Sequence, residues 1–179
     1  MGEIRRPNVV CLVAGICFND SKQNKTCLDR MQEKFGAIES ELAPILFVHT
    51  NYYAEEMGHA LKKMYISFAK LIDPAELPAI KHFTNALEEE LSIDGKRDVN
   101  IDPGYIETPK LILATTKNFS HRIYIGKGIY GDVQLYWKNG HFNANPWTYP
   151  DYKDETVLRY FEKVRNAYFN KLKELDSWK

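Results

Sequence analysis

The segment from Arg97 to Tyr130 carries the side chains best suited to chemistry. Arg97, Lys117, Arg122 and Lys127 are cations of the kind that pair with phosphate or carboxylate, and a glycine-containing turn beside them adds bare N–H groups. Asn100, Tyr105, Asn118 and Tyr130 supply uncharged hydrogen-bonding groups. Asp102 suits a general base, or the group that orients one. His121 suits a proton shuttle, because histidine changes charge near neutrality unaided. Together they point to a pocket for a small anionic ligand, phosphorylated or nucleotide-like. The plainer alternative has Asn100 and Asp102 bonded to the backbone of their own turn, with Lys117 and Arg122 solvated. Alternation places His121, Ile123 and Ile125 on one strand face, and Arg122 and Tyr124 on the other. His121 and Arg122 therefore serve one ligand only if the strand begins past them or bulges there.

At the end of this segment and just beyond it, IGKGIYGDV (Ile125 to Val133) fits the glycine-rich loop that covers ATP phosphates in protein kinases. The surroundings oppose that role. Too little chain follows for a catalytic lobe, His121-Arg122-Ile123 lacks the aspartate of H-R-D, and D-F-G does not occur. A dinucleotide loop fails as well, since strand-forming residues rather than a helix follow the glycines. A β-hairpin turn is the expectation. No G-x-x-x-x-G-K-[ST] phosphate loop occurs, and Asn24-Lys25-Thr26-Cys27 lacks the aspartate of the guanine-reading N-K-x-D.

Three other places compete. Tyr52 to Gly58 should join a strand to a helix, the junction where open α/β sheets hold ligands, which makes Glu56 a candidate acid, base or metal ligand. A carboxylate in a helix's first turn is also favoured by the dipole alone. Lys81, Asn85 and Glu88 form a polar line at helical spacing, read as a solvated face. In NPWTYPDY, Trp147, Tyr149 and Tyr152 either cap a core edge or form a partner surface for a protein or a single nucleic-acid strand. Five histidines never take ligand-pair spacing, so no metal site is expected.

Composition bounds the rest. The 179 residues suit one domain; 44% are hydrophobic and 27% charged, as in ordinary globular proteins. Lys plus Arg equals Asp plus Glu at 24 each, so no global field recruits nucleic acid or an anionic membrane. Cys11, Cys17 and Cys27 cannot all pair, which suggests reduced thiols and a cytoplasmic protein. Arg5, Arg6 and the apolar run behind them imitate a signal peptide, but Asn19-Asp20-Ser21-Lys22 follows without a small-x-small site.

Periodicity supplies the elements that would position these residues. Val9 to Phe18 reads as a strand buried on both faces, followed by a helix over 24–35 ending at Gly36, then a strand over 45–49. That is a βαβ or split-βαβ opening. Two central helices follow: Leu61, Met64, Tyr65, Phe68 and Ile72 make one stripe, and Leu77, Ile80, Phe83, Leu87 and Leu91 the next, behind an Asp73-Pro74-Ala75-Glu76 capping box. Beyond them the chain turns β-rich, with a turn at Ile101-Asp102-Pro103-Gly104 and a segment, 110–116, that suits helix or strand. Strands over 121–125 and 133–137 then lead to an Asn139-Gly140 turn and a short returning strand. A last amphipathic helix covers 155–175. The fold class is a single α/β domain, with antiparallel hairpins joining one mixed sheet under that helix.

YYAEEMG, TNALE, VNIDPGYI, LATTKNFSHRIYIGKGIY and WTYPDY, in this order, resemble the bacterial and archaeal family called domain of unknown function 4416, over nearly the whole chain. The resemblance implies almost nothing about activity. Some members bear the label GTP-binding protein, which the absent phosphate loop and guanine motif oppose here.

Overall fold

The computed structural model describes residues 2–19, 21–48, 57 and 61–175. It contains eight strands: β1 (Val10–Phe18), β2 (Ile38–Leu46), β3 (Lys62–Ile72), β4 (Val99–Glu107), β5 (Lys110–Thr115), β6 (Arg122–Gly126), β7 (Ile129–Lys138) and β8 (His141–Ala144). Among the described residues, three α-helices longer than ten residues accompany them: α1 (Ser21–Phe35), α2 (Leu77–Glu90) and α3 (Glu155–Glu174). The strands form one sheet in the order β2-β3-β1-β4-β5-β7-β6, with β8 also paired to β7. Neighbouring strands are antiparallel. Because β3 lies between β1 and β2 and opposes both, those two run parallel, and the opening is the split form of the βαβ unit.

β1 explains its own apolar run. Leu12, Ala14, Ile16 and Phe18 pack with Cys27 and Met31 of α1 and Ile80 and Leu87 of α2. Cys11 and Val13 point the other way, into a core built by Val157, Phe161, Val164, Tyr168 and Leu172 of α3. A strand covered on both faces cannot alternate. Fully buried rings such as Phe161 and Phe68 contribute about 1.5–3 kcal/mol each through removal from water.

Several expectations need correction. Residues 61–72 are not a helix but β3, flanked by β1 and β2. Every residue from Lys63 to Phe68 is buried, so the strand shows no two-residue period there, and the hydrophobic positions imitate a helical stripe. The second strand begins earlier than the 45–49 segment, at Ile38, with its pairing to β3 interrupted between Leu42 and Ile45, around Pro44. Ile101-Asp102-Pro103-Gly104 is not a turn; it runs straight through β4. The ambiguous 110–116 segment is β5. The glycine-rich motif is a hairpin between β6 and β7, and Gly126, Lys127 and Gly128 all have positive φ (105°, 52° and 76°). Asn139 and Gly140 make the expected turn, also with positive φ. Asp73 and Glu76 close their capping box reciprocally ahead of α2.

Candidate functional site

β4 and β5 pair only from Gly104–Leu113 to Glu107–Lys110. Upstream of Gly104, β4 keeps its pairing to β1 through Val99, while β5 continues along β7 to Thr115. The sheet therefore opens into a cleft between the start of β4 and the end of β5. Local sequence accounts for the opening. Backbone groups of a strand address one neighbour every second residue, and Pro103, two residues past Ile101, has no N–H to give. Gly104 marks the fork: a Cβ there would lie 2.1 Å from the Ile112 carbonyl oxygen.

α2 satisfies what β5 leaves unpaired. Glu88 Oε1 accepts from the Ile101 N–H at 2.8 Å, and Lys81 Nζ donates to the Ile101 carbonyl at 2.9 Å. Two side chains seven residues apart on one helix thus replace a strand's backbone, as buried polar groups require. Burial raises the Glu88 carboxyl above its ordinary range, with Lys81, the Ile101 N–H and Arg97 pulling the other way.

The cleft holds about 400 Å³. Lys81, Asn85, Glu88 and Glu89 of α2 form one wall, and Arg97, Asn100 and Asp102, at and before β4, form another. Leu113 to Lys117, ending β5, and Tyr149 complete it. Its polar groups form a chain: Arg97 Nη1 donates to Glu88 Oε2 (3.4 Å) and Asn100 Oδ1 (3.3 Å), and Asn100 Nδ2 donates to Asp102 Oδ1 (3.4 Å). Among the described lining residues three cations face three carboxylates, so their charges balance.

Behind Asp102 lies a buried ion cluster. Lys63 Nζ sits 3.3 Å from Asp102 Oδ2 and 2.8 Å from Asp151 Oδ2, which also accepts from the Tyr65 hydroxyl at 2.7 Å. The rings of Phe47, Tyr65 and Tyr152 surround the ammonium at 5.2–5.7 Å. Burial pulls the Lys63 pKa down, but the charges of Asp102 and Asp151 outweigh it, and the net shift is upward. Gly15 admits this cluster, since a Cβ there would meet the Tyr152 hydroxyl at 2.8 Å and Lys63 Cε at 3.1 Å.

A second cluster adjoins the cleft through Tyr149. Arg122 Nε donates to Asp132 Oδ2 at 2.8 Å, its Nη1 to the Lys117 carbonyl and its Nη2 to the Tyr149 hydroxyl. His121 Nε2 lies 3.4 Å from the same Asp132 oxygen, with its ring stacked on Trp147 at 4.9 Å. β6 begins at Arg122, so His121 stands outside the strand and its alternation, and both side chains reach one carboxylate. Burial, then the charge of Asp102, pushes the Tyr149 hydroxyl up to about 12 against the pull of Arg122.

Of the residues chosen from sequence, Arg97, Asn100, Asp102 and Lys117 line the cleft, and His121 and Arg122 sit beside it. Tyr105 instead lines a separate apolar hollow with Leu77, Ile112 and Ile123. Lys127 occupies the hairpin turn, its carbonyl 2.8 Å from His82 Nε2, and Tyr130 meets Tyr124 edge-on. Glu56 lies outside the described residues. The Lys81–Asn85–Glu88 line is not a solvated face: Lys81 and Glu88 are buried and all three line the cleft. Sequence reasoning missed Lys63, Asp132 and Asp151 as site neighbours. Asp132 was hidden inside the glycine motif, and Lys63 inside a segment read as helix. In the aromatic segment, Tyr152 is fully buried while Trp147 is 38% exposed.

Among the described residues, no helix is long and apolar enough to cross a membrane, and no group of three or more His, Cys, Asp or Glu is placed to hold a metal ion. Comparison with curated proteins and with solved structures returns no match. The family model described as Domain of unknown function (DUF4416) matches residues 8–168, and the chain belongs to that family.

Proposed function

We propose that the protein binds a small anionic ligand, phosphorylated or nucleotide-like, in the cleft between β4 and β5. One observation carries this reading: Arg97, Asn100, Asp102 and Lys117, selected for their chemistry alone, line one hollow of about 400 Å³. In it Arg97 and Lys117 clamp the anion and Asp102 is the acid–base group. Arg122 and His121 act on the cleft from behind Tyr149. Lys63 holds Asp102 in place from the core side. Three buried, unpaired thiols support a reducing compartment, the cytoplasm. The competing reading, a module that presents its aromatic segment to a protein or a single nucleic-acid strand, rests on the exposed ring of Trp147.

Thermal unfolding against nucleotides, sugar phosphates and metal ions tests the proposal. A ligand at 100 times its dissociation constant adds about 2.7 kcal/mol, which raises Tm by roughly 5–10 °C at this size. Lys117→Ala should abolish the rise. A panel without any shift would remove the anion-site reading, and a shift with oligonucleotide alone would favour Trp147.

A further inference from the structure

The lining of the cleft narrows the class of ligand. Its wall is rich in acceptors: Glu88, Glu89 and Asp102 are carboxylates, and Asn85 and Asn100 are amides. Such planar groups span neighbouring hydroxyls, each of which donates one hydrogen and accepts others. Asp102 is fixed for this task. Lys63 holds Oδ2 at 3.3 Å and Asn100 reaches Oδ1 at 3.4 Å, while a carboxylate offers about four lone-pair positions.

Charge points the same way. With cations and carboxylates balanced in the lining, one anionic group can settle between Arg97 and Lys117, whereas a polyphosphate also meets the field of three carboxylates. The glycine turn that would cradle a polyphosphate with its N–H groups is not among the residues lining the cleft; its Lys127 carbonyl lies 2.8 Å from His82 Nε2. Tyr149 is the one ring among the described lining residues, enough for the apolar face of a sugar. The volume of about 400 Å³ lies near the lower end of the ~300–1,000 Å³ typical of ligand sites.

We infer that the cleft takes a polyhydroxylated small molecule bearing a single anionic group, a sugar phosphate or a sugar acid, in preference to a nucleoside triphosphate. This rests on the reading that the cleft is an anion site. Asp102 and Asn85 grip the hydroxyls, and Arg97 and Lys117 the anion.

Calorimetry with the full chain tests it, using glucose 6-phosphate, ribose 5-phosphate, glucuronate, glucose, orthophosphate and ATP as probes. At least one phosphorylated sugar or the glucuronate should bind tenfold or more tighter than glucose, orthophosphate and ATP. The phosphate and carboxylate arms separate the two sources of charge. Asp102→Asn should weaken that binding at least tenfold. Because Asp102 also meets Lys63, Asn85→Ala serves as the second variant and should weaken it several-fold with Tm unchanged. ATP binding as tightly as the best sugar would overturn the inference and leave the anion site standing. Binding by none of the probes would overturn both.

Discussion

At the scale of single residues, glycines 104 and 126 separate two reasons for the same amino acid. Gly104 has an ordinary backbone but no room: its absent Cβ would sit 2.1 Å from the Ile112 carbonyl oxygen and 2.7 Å from Leu113 Cδ2. Gly126 has room but a φ of +105°, with nothing within 4 Å of a built Cβ. Gly104→Ala must push β5 away from β4, and a loss of about 1–3 kcal/mol is expected from overpacking. Gly126→Ala should cost about 1–2 kcal/mol through backbone strain alone. Urea unfolding reads both losses. The decisive comparison is ligand binding, which the first variant should disturb at the fork of the cleft and the second should leave intact. Part of this was legible in advance. Glycines of the hairpin turn announce themselves through a local pattern, whereas Gly104 answers to a strand partner that sequence does not name. Hence Pro103-Gly104 reads as a turn and folds as a fork.

At the scale of elements, α2 acts as a substitute strand. Glu88 and Lys81 take both backbone groups of Ile101, in the stretch where β5 has left β4. Glu88→Ala should leave a buried N–H and the cations Lys81 and Arg97 without that carboxylate. The expected cost is about 1–3 kcal/mol for the unpaired donor alone, with faster exchange of the Ile101 amide. Glu88→Gln keeps an acceptor at the same reach and should retain most of the protection. Equal exchange in wild type and the alanine variant would show that the carboxylate does not hold that amide. The helix itself was readable from Leu77, Ile80, Leu87 and Leu91, and so was its polar line. Its meaning was not, because helical spacing says which residues share a face but not what that face meets. β3 fails for the complementary reason: a strand buried on both sides carries no period to read.

At the scale of the whole molecule, burial of weak acids sets an alkaline limit. Cys11, Cys17 and Cys27 are pushed from 9.0 to about 12 by burial, and Tyr105 and Tyr149 from 10.0 to about 12. Folded values above unfolded ones mean that these groups' contribution is complete below pH 9 and lost as pH rises towards 12. By pH 10 the loss is on the order of 1 kcal/mol per buried thiol. Urea midpoints measured from pH 8 to pH 11 should fall steadily, and less steeply in a Cys17→Ser, Cys27→Ser variant. A flat profile would contradict the burial of these thiols. The domain as a whole was legible: one unit, a βαβ-type opening, hairpins in the second half and a closing amphipathic helix all follow from local pattern. The cleft was not, since its walls come from residues 81–89, 97–102, 113–117 and 149, which only folding brings together.

The tie between α2 and Ile101 also bears on how this chain can go astray. An ordinary sheet exposes raw hydrogen-bonding margins only at its two ends, here β2 at one and β6 with β8 at the other. This one hides a third margin in its middle, along the start of β4, screened by a helix rather than by a strand. Any species in which α2 has not yet docked leaves that seam bare and beside an apolar interior, ready to be zipped up by a neighbouring chain. Precipitation during refolding should therefore track the arrival of α2, and substitutions that loosen Lys81 or Glu88 should aggravate it.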